Sequence, residues 1–274
     1  MVLLSIITPV YNNVHYISLA IDNYLSQDCK NTELIVMDGG STDGTKEVIE
    51  RYASKNSSIH CVSEKDEGQS DAMNKGIQLA KGKYISFLNV DDYYSDGCLN
   101  EVCQLLISDP SIRYLVGDCN VWDQYGKLIY INHPSKVQKW HVFSGCHFSV
   151  NPSAYFYQKS LHYEVGYYPN DNHYNMDLEM ILRFREVTKF HYYPRIWGNF
   201  RMLPEAKTFE DQTSNLLEKR KQDLVRLFYI KQPFYLKGMI IIYRMKKQYL
   251  PRLIYSLRKV RDKLLYEISK LKSR

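Results

Sequence analysis

Short apolar runs alternate with helix-periodic segments over the first 117 residues. Residues 2–8, 33–37, 59–63, 84–88 and 112–116 are β-prone stretches bounded by Pro, Gly, Ser or Asp, and they read as strands. Between them, Ile17, Ala20, Ile21, Tyr24 and Leu25 fall on one helical face. Residues 45–53, 70–80 and about 95–107 also read as helices. Ser41-Thr42-Asp43-Gly44 and Ser95 or Asp96 supply starts, and Gly82 and Asp109-Pro110 supply stops. A βαβαβαβαβ order predicts an α/β fold, a parallel sheet with helices on both faces. After Gly117 the pattern loosens into a hairpin about Tyr125-Gly126, a helix over 176–186, and strands over 189–193 and 196–200.

The chain of 274 residues can bury a full core. Its six cysteines are scattered without a C-x-x-C pair, which reads as reduced thiols in a cytosolic protein and argues against zinc. The start, Met1-Val2-Leu3-Leu4-Ser5, has no basic stretch and is not expected to be a signal peptide. No apolar run reaches the roughly 18–20 residues of a membrane span.

Charge divides the chain. From Lys219 to the end there are seventeen Lys and Arg against three acids, a net +14, and the whole chain is +6. Residues 1–218 therefore carry −8, and an acidic body with a basic tail implies two tasks.

Two strands end in acids. Leu34-Ile35-Val36-Met37 leads to Asp38, and Tyr84-Ile85-Ser86-Phe87-Leu88 leads through Asn89-Val90 to Asp91-Asp92. Ligands of open α/β sheets bind at such strand ends. Adjacent carboxylates repel unless a cation neutralises them, and Mg²⁺ or Mn²⁺ bridges carboxylates to phosphates. The loop after Asp38 lacks both the P-loop and the dinucleotide fingerprint. Each acid alone also fits a helix cap or a solvated turn. Glu64-Lys65-Asp66-Glu67 reads as a charge run of the kind usually solvated.

Taken together, Thr8-Pro9-Val10-Tyr11-Asn12, Val36 to Thr45, Asp66-Glu67-Gly68 with Asp71 to Gly76, and Phe87 to Asp92 resemble family-2 glycosyltransferases in order and spacing. The resemblance covers roughly residues 3–208 and is strongest to bacterial surface-polysaccharide members. It implies the GT-A fold, with a nucleotide-sugar-binding half (1–117), an acceptor half (118–208) and a basic helical extension (209–274). By the same resemblance, Thr8, Pro9 and Tyr11 would wrap the base and ribose of the donor, and Asp38 would contact the base, usually uracil. Asp91 would lie near the ribose or sugar, Asp92 would bind a divalent metal (Mn²⁺ or Mg²⁺), and Asp71 and Asn74 would shape the donor pocket. Asp177 would be the catalytic base, with Glu179 its rival and Arg183 an ion-pair partner. Trp197 to Arg201 and Lys207 resemble the closing loop, but Leu203 stands where many members have His, and Arg201 and Lys207 would compensate. His147 and His173 are conceivable substitutes. The reaction implied is inverting, metal-dependent transfer from a UDP-sugar to a glycan or polyprenyl-linked acceptor. A sugar-1-phosphate nucleotidyltransferase and a non-catalytic relative are the competing readings.

In the tail, Leu253, Leu257, Val260, Leu264, Ile268 and Leu271 form an apolar stripe among Lys and Arg. Such a basic amphipathic helix suits an anionic membrane surface, which places the expected protein on the cytoplasmic face. A protein partner or homo-oligomer stays open, and no nucleic-acid motif accompanies the charge.

Overall fold

A computed structural model describes residues 2–144, 148–170, 175–204 and 216–249, with side chains of the last segment from residue 222. The first half follows the predicted alternation: β1 (Leu4–Val10), α1 (Val14–Ser26), β2 (Thr32–Asp38), α2 (Thr45–Ala53), β3 (Ile59–Ser63), α3 (Gln69–Leu79), β4 (Tyr84–Phe87). There follow β5 (Tyr93–Tyr94), α4 (Cys98–Ser108), β6 (Tyr114–Trp122), β7 (Leu128–Asn132), α5 (Lys139–Val142), β8 (Tyr155–Gln158), α6 (Leu161–Val165), α7 (Met176–Val187) and β9 (His191–Arg201). Two further helices are α8 (Leu216–Ile230) and α9 over residues 234–249.

The sheet runs β3-β2-β1-β4-β8-β6-β9-β5, with β7 paired to β6. β3, β2, β1 and β4 are parallel. Residues of β2, β1 and β4 are buried on both faces, as a sheet covered by helices on each side requires, while the edge strand β3 is only partly buried.

The expected fifth strand is present and runs in the same sense as β4, but not beside it. β6 does not neighbour β4, because β8 inserts between them antiparallel to both. The run Tyr155-Phe156-Tyr157 is equally apolar for either direction, so local pattern cannot choose. The two strands expected over 189–193 and 196–200 are one, β9, whose register with β6 shifts around Asp118.

Two cores sandwich the sheet. One packs α1 and α4 residues such as Ile17, Ile21, Leu99 and Val102 beneath β1 and β2. The other holds Met73, Ile77, Tyr114, Tyr157, Ile181 and Phe184, and Val225, Leu236 and Ile240 of α8 and α9 join it. The described part of the basic extension is thus packed on α7 and the acceptor half. No helix among the described residues is long and apolar enough to cross a membrane. The described cysteines are free. The stripe 253–271 lies outside the described residues.

Candidate functional site

The site forms where β1, β2 and β4 end. Their parallel register puts Val10 opposite Asp38, so the β1–α1 and β2–α2 loops meet. Ser41 Oγ accepts from Asn12 N at 2.7 Å, Asn12 Oδ1 accepts from Thr42 N at 2.9 Å, and Asp43 Oδ2 accepts from Val14 N at 3.0 Å. Asn12 takes a left-handed φ of 48° to make that crossing. Tyr11 is left with its ring 63% exposed at the mouth, whereas Thr8 and Pro9 are buried. Of the three residues expected around the base, Tyr11 alone offers side-chain surface to a ligand.

Asp38 departs from expectation. It is buried, with Oδ1 accepting from Ser41 Oγ at 2.5 Å and Oδ2 from Ser63 Oγ at 2.6 Å. Both oxygens are engaged by serine hydroxyls and the Ser41 backbone N–H, which fixes the carboxylate at the end of β2. The open carboxylate beside it is Asp66. Its Oδ2 lies 2.6 Å from the place a Cβ on Gly39 would occupy, and its Oδ1 accepts from Gly68 N at 2.9 Å. The Gly39-Gly40 pair was the local signal for this close approach; the Asp66 charge run was not.

Asp71 and Asn74 on α3 are also committed. Asp71 pairs with Lys75 at 3.1 Å and accepts from Glu67 N. Asn74 donates to Tyr168 O and accepts from Tyr168 N, both at 2.9 Å. Asn74 therefore clamps the segment that approaches α7.

The Asp91-Asp92 pair divides its duties. Asp92 is 2% exposed; Asn89 Nδ2 and Asn151 Nδ2 donate to its Oδ2 at 3.0 and 2.7 Å, and Arg201 N donates to Oδ1 at 3.1 Å. It stitches the end of β4 to the segment before β8 and to the end of β9. Three of its roughly four acceptor positions are taken, and one lone pair of Oδ1 is left on the side of Asp91 for a cation. Asp91 is half-buried, and the Arg201 guanidinium favours its charged form. Burial pushes both carboxyls up, and for Asp92 the charge of Asp91 adds to it. Two desolvated neighbouring acids are a donor set that a divalent cation relieves. Among the described residues no three His, Cys, Asp or Glu form a metal cage. That fits an ion shared with substrate phosphates, the usual habit of Mg²⁺.

Arg201 also lies 4.9 Å from the Tyr93 ring centre, held there because β5 pairs with β9. Leu203 is partly buried. Lys207, His147 and His173 lie outside the described residues.

On the acceptor side, Asp177 sits in the first turn of α7, where the helix dipole favours a carboxylate. Burial nonetheless pushes its carboxyl up to about 6, opposed by a hydrogen bond from Tyr155 Oη at 3.2 Å. Glu179 is tied to Arg183 one turn on, and Arg183 also donates to Val165 O and Tyr167 O. The rival base is thus occupied, and Asp177 is the carboxylate with a single hydroxyl partner. Tyr155 and Asn151 escaped notice as partners because each lies many residues from the acid it bonds. Asn151 also caps the short turn that Pro152 opens, its side chain accepting from Ser153 N.

The chain matches the Glycosyl transferase family 2 model over residues 5–162, more than half its length. It is 34% identical over 106 residues to the putative teichuronic acid biosynthesis glycosyltransferase TuaG of Bacillus subtilis. That match covers 38% of this chain and 42% of the relative. S. aureus TarS 1–349 in complex with UDP superposes with a TM-score of 0.66 at 15% identity, covering 89% of this chain and 71% of that one. The mannosyltransferase PcManGT of Pyrobaculum calidifontis, in complex with GDP-Man and Mn²⁺, gives 0.62 at 16%, covering 88% and 69%. These two likenesses establish the fold, GT-A-like α/β.

Proposed function

The chain belongs to glycosyl transferase family 2, and from that premise we propose that it transfers a sugar from a nucleoside-diphosphate donor to a hydroxyl of a glycan or lipid-linked acceptor, with inversion, in cell-surface polysaccharide synthesis. The family membership and the UDP and GDP-Man complexes of the structural neighbours support the donor class; the likeness to TuaG supports the acceptor class. UDP is the donor nucleotide favoured, by the resemblance of the motifs.

One observation supports the mechanism: burial pushes the Asp177 carboxyl up to about 6, and the Tyr155 hydroxyl is its hydrogen-bond partner among the described residues. In the proposal Asp177 accepts the proton of the acceptor hydroxyl as that oxygen attacks the anomeric carbon. The bond to the diphosphate breaks on the opposite face, so an α-linked donor yields a β-glycoside. A value near 6 leaves the base ionised at neutral pH yet close enough in basicity to take a proton, a contribution of about 10²–10⁴-fold. Arg201 balances charge at the diphosphate. Tyr11 covers the base, with the Asp66 carboxylate at its polar edge. A divalent cation would be held by Asp91, with phosphate oxygens and water completing its shell, and would stabilise charge on the departing diphosphate.

The test is nucleoside-diphosphate release from a panel of UDP-, GDP- and dTDP-sugars, with Mn²⁺ or EDTA, in membrane extract supplying lipid-linked acceptors. Release from one donor, lost in Asp91→Ala and in Asp177→Asn, is the expected result. Equal turnover in Asp177→Asn would overturn the base assignment. Silence with every donor would favour a non-catalytic relative.

A further inference from the structure

Helix α9 is apolar on two opposite faces. Leu236 and Ile240 point into the core and are 6% and 0% exposed. At 3.6 residues per turn, Phe234, Tyr235, Ile241, Ile242, Met245 and Tyr249 share an arc of roughly 120° on the other side. All six are exposed, Phe234 at 90% and Ile242 at 68%. A helix that needed only to pack on the body would put polar residues there. Single exposed apolar residues are ordinary, but a contiguous patch marks an interaction surface.

The charge around this face selects its occupant. Residues 216–249 hold nine Lys and Arg against two acids, and Lys231 and Lys246 are exposed at either end of α9. The chain then continues through eight more Lys and Arg against two acids. A two-fold pairing of α9 with the α9 of a second copy, or the chain's own basic tail laid on α9, would bring like charges together. An anionic surface with an apolar interior satisfies both features at once.

We infer that the outward face of α9 inserts into the headgroup boundary of an anionic phospholipid bilayer, with the flanking lysines on lipid phosphates. Packing holds α9 in place for this. Arg244 Nε donates to Ser144 O at 3.2 Å, and Tyr243 packs edge-on against Trp140 of α5. The face is therefore carried rigidly by the acceptor half, on the same core as α7 and its Asp177. The inference stands apart from the proposed chemistry, and its test needs no turnover.

The full-length chain is sedimented with vesicles of phosphatidylcholine alone and of phosphatidylcholine mixed with phosphatidylglycerol. Binding to the anionic vesicles only, falling as salt rises, is expected. Phe234→Ser/Ile242→Ser/Met245→Ser, all exposed and so folding as the parent, should lower partitioning by about tenfold or more. Lys231→Glu/Lys246→Glu should weaken it while leaving the apolar face intact. Failure to bind, equal binding to both vesicles, or wild-type binding by the triple variant would overturn the inference. So would light scattering that shows a dimer in the parent and a monomer in the triple variant, because the face would then belong to a second copy.

Discussion

Replacing Asp177 by Asn should make the protein more stable and nearly inactive. Burial raises this carboxyl from 3.8 to about 6, so the native chain holds the proton more tightly than the unfolded chain does. For an acid shifted upward, stability is fully present below pH 4, falls between about 4 and 6, and stays lower above that. At ~1.4 kcal/mol per pH unit, the ionised Asp177 costs the fold about 3 kcal/mol at neutral pH. Asn keeps the size and can still accept from Tyr155, but it carries no charge to desolvate. Urea unfolding at pH 8 should show Asp177→Asn more stable by about 2–3 kcal/mol, with the difference vanishing by about pH 4. Donor turnover should fall by about 10²–10⁴-fold, the usual worth of a general base. In the parent, activity should rise through about pH 6 to a plateau. A variant no more stable than the parent at pH 8 would refute the burial argument. One that keeps its turnover would refute the role.

The neighbouring groups give sharper contrasts. Tyr155→Phe removes the hydroxyl that holds Asp177 down, so the acidic limb of the pH–rate profile should move to higher pH, at a stability cost of about 1 kcal/mol. Asp91→Asn should abolish stimulation by Mn²⁺ with the melting temperature kept or raised. Asn151→Ala, by contrast, should cost about 1–3 kcal/mol, because it strips a donor from the buried Asp92; thermal melts with metal titration separate the two. Gly39→Ala sets a methyl 2.6 Å from Asp66 Oδ2. The flexible carboxylate should swing away, raising donor KM several-fold with little change in kcat or stability.

The alternation of strands and helices through residue 116 was legible because each segment carries its own period and its own stops. Strand ends are local too, so the sequence singled out Asp38, Asp91 and Asp92, whereas Asp177, in the first turn of a helix, rested on the family resemblance. Direction and neighbour order in the second half were not legible. β8 pairs with β4 and β6 across scores of residues, and an apolar run looks the same in either orientation.

What each acid does depended on what the fold brings to it. Asp91 and Asp92 are adjacent and chemically identical in the sequence. Tertiary contacts from Asn151 and the Arg201 backbone hold one of them in place and leave the other beside a guanidinium. Likewise Ser63 closes Asp38, Arg183 occupies Glu179, and Asp177 accepts from the Tyr155 hydroxyl in the partly buried first turn of α7. The sequence determined the elements, the carboxylates and the basic tail, since composition and period are properties of neighbours along the chain. The tertiary structure decided which carboxylates stay open, since burial and hydrogen bonding are set by residues that meet only after folding.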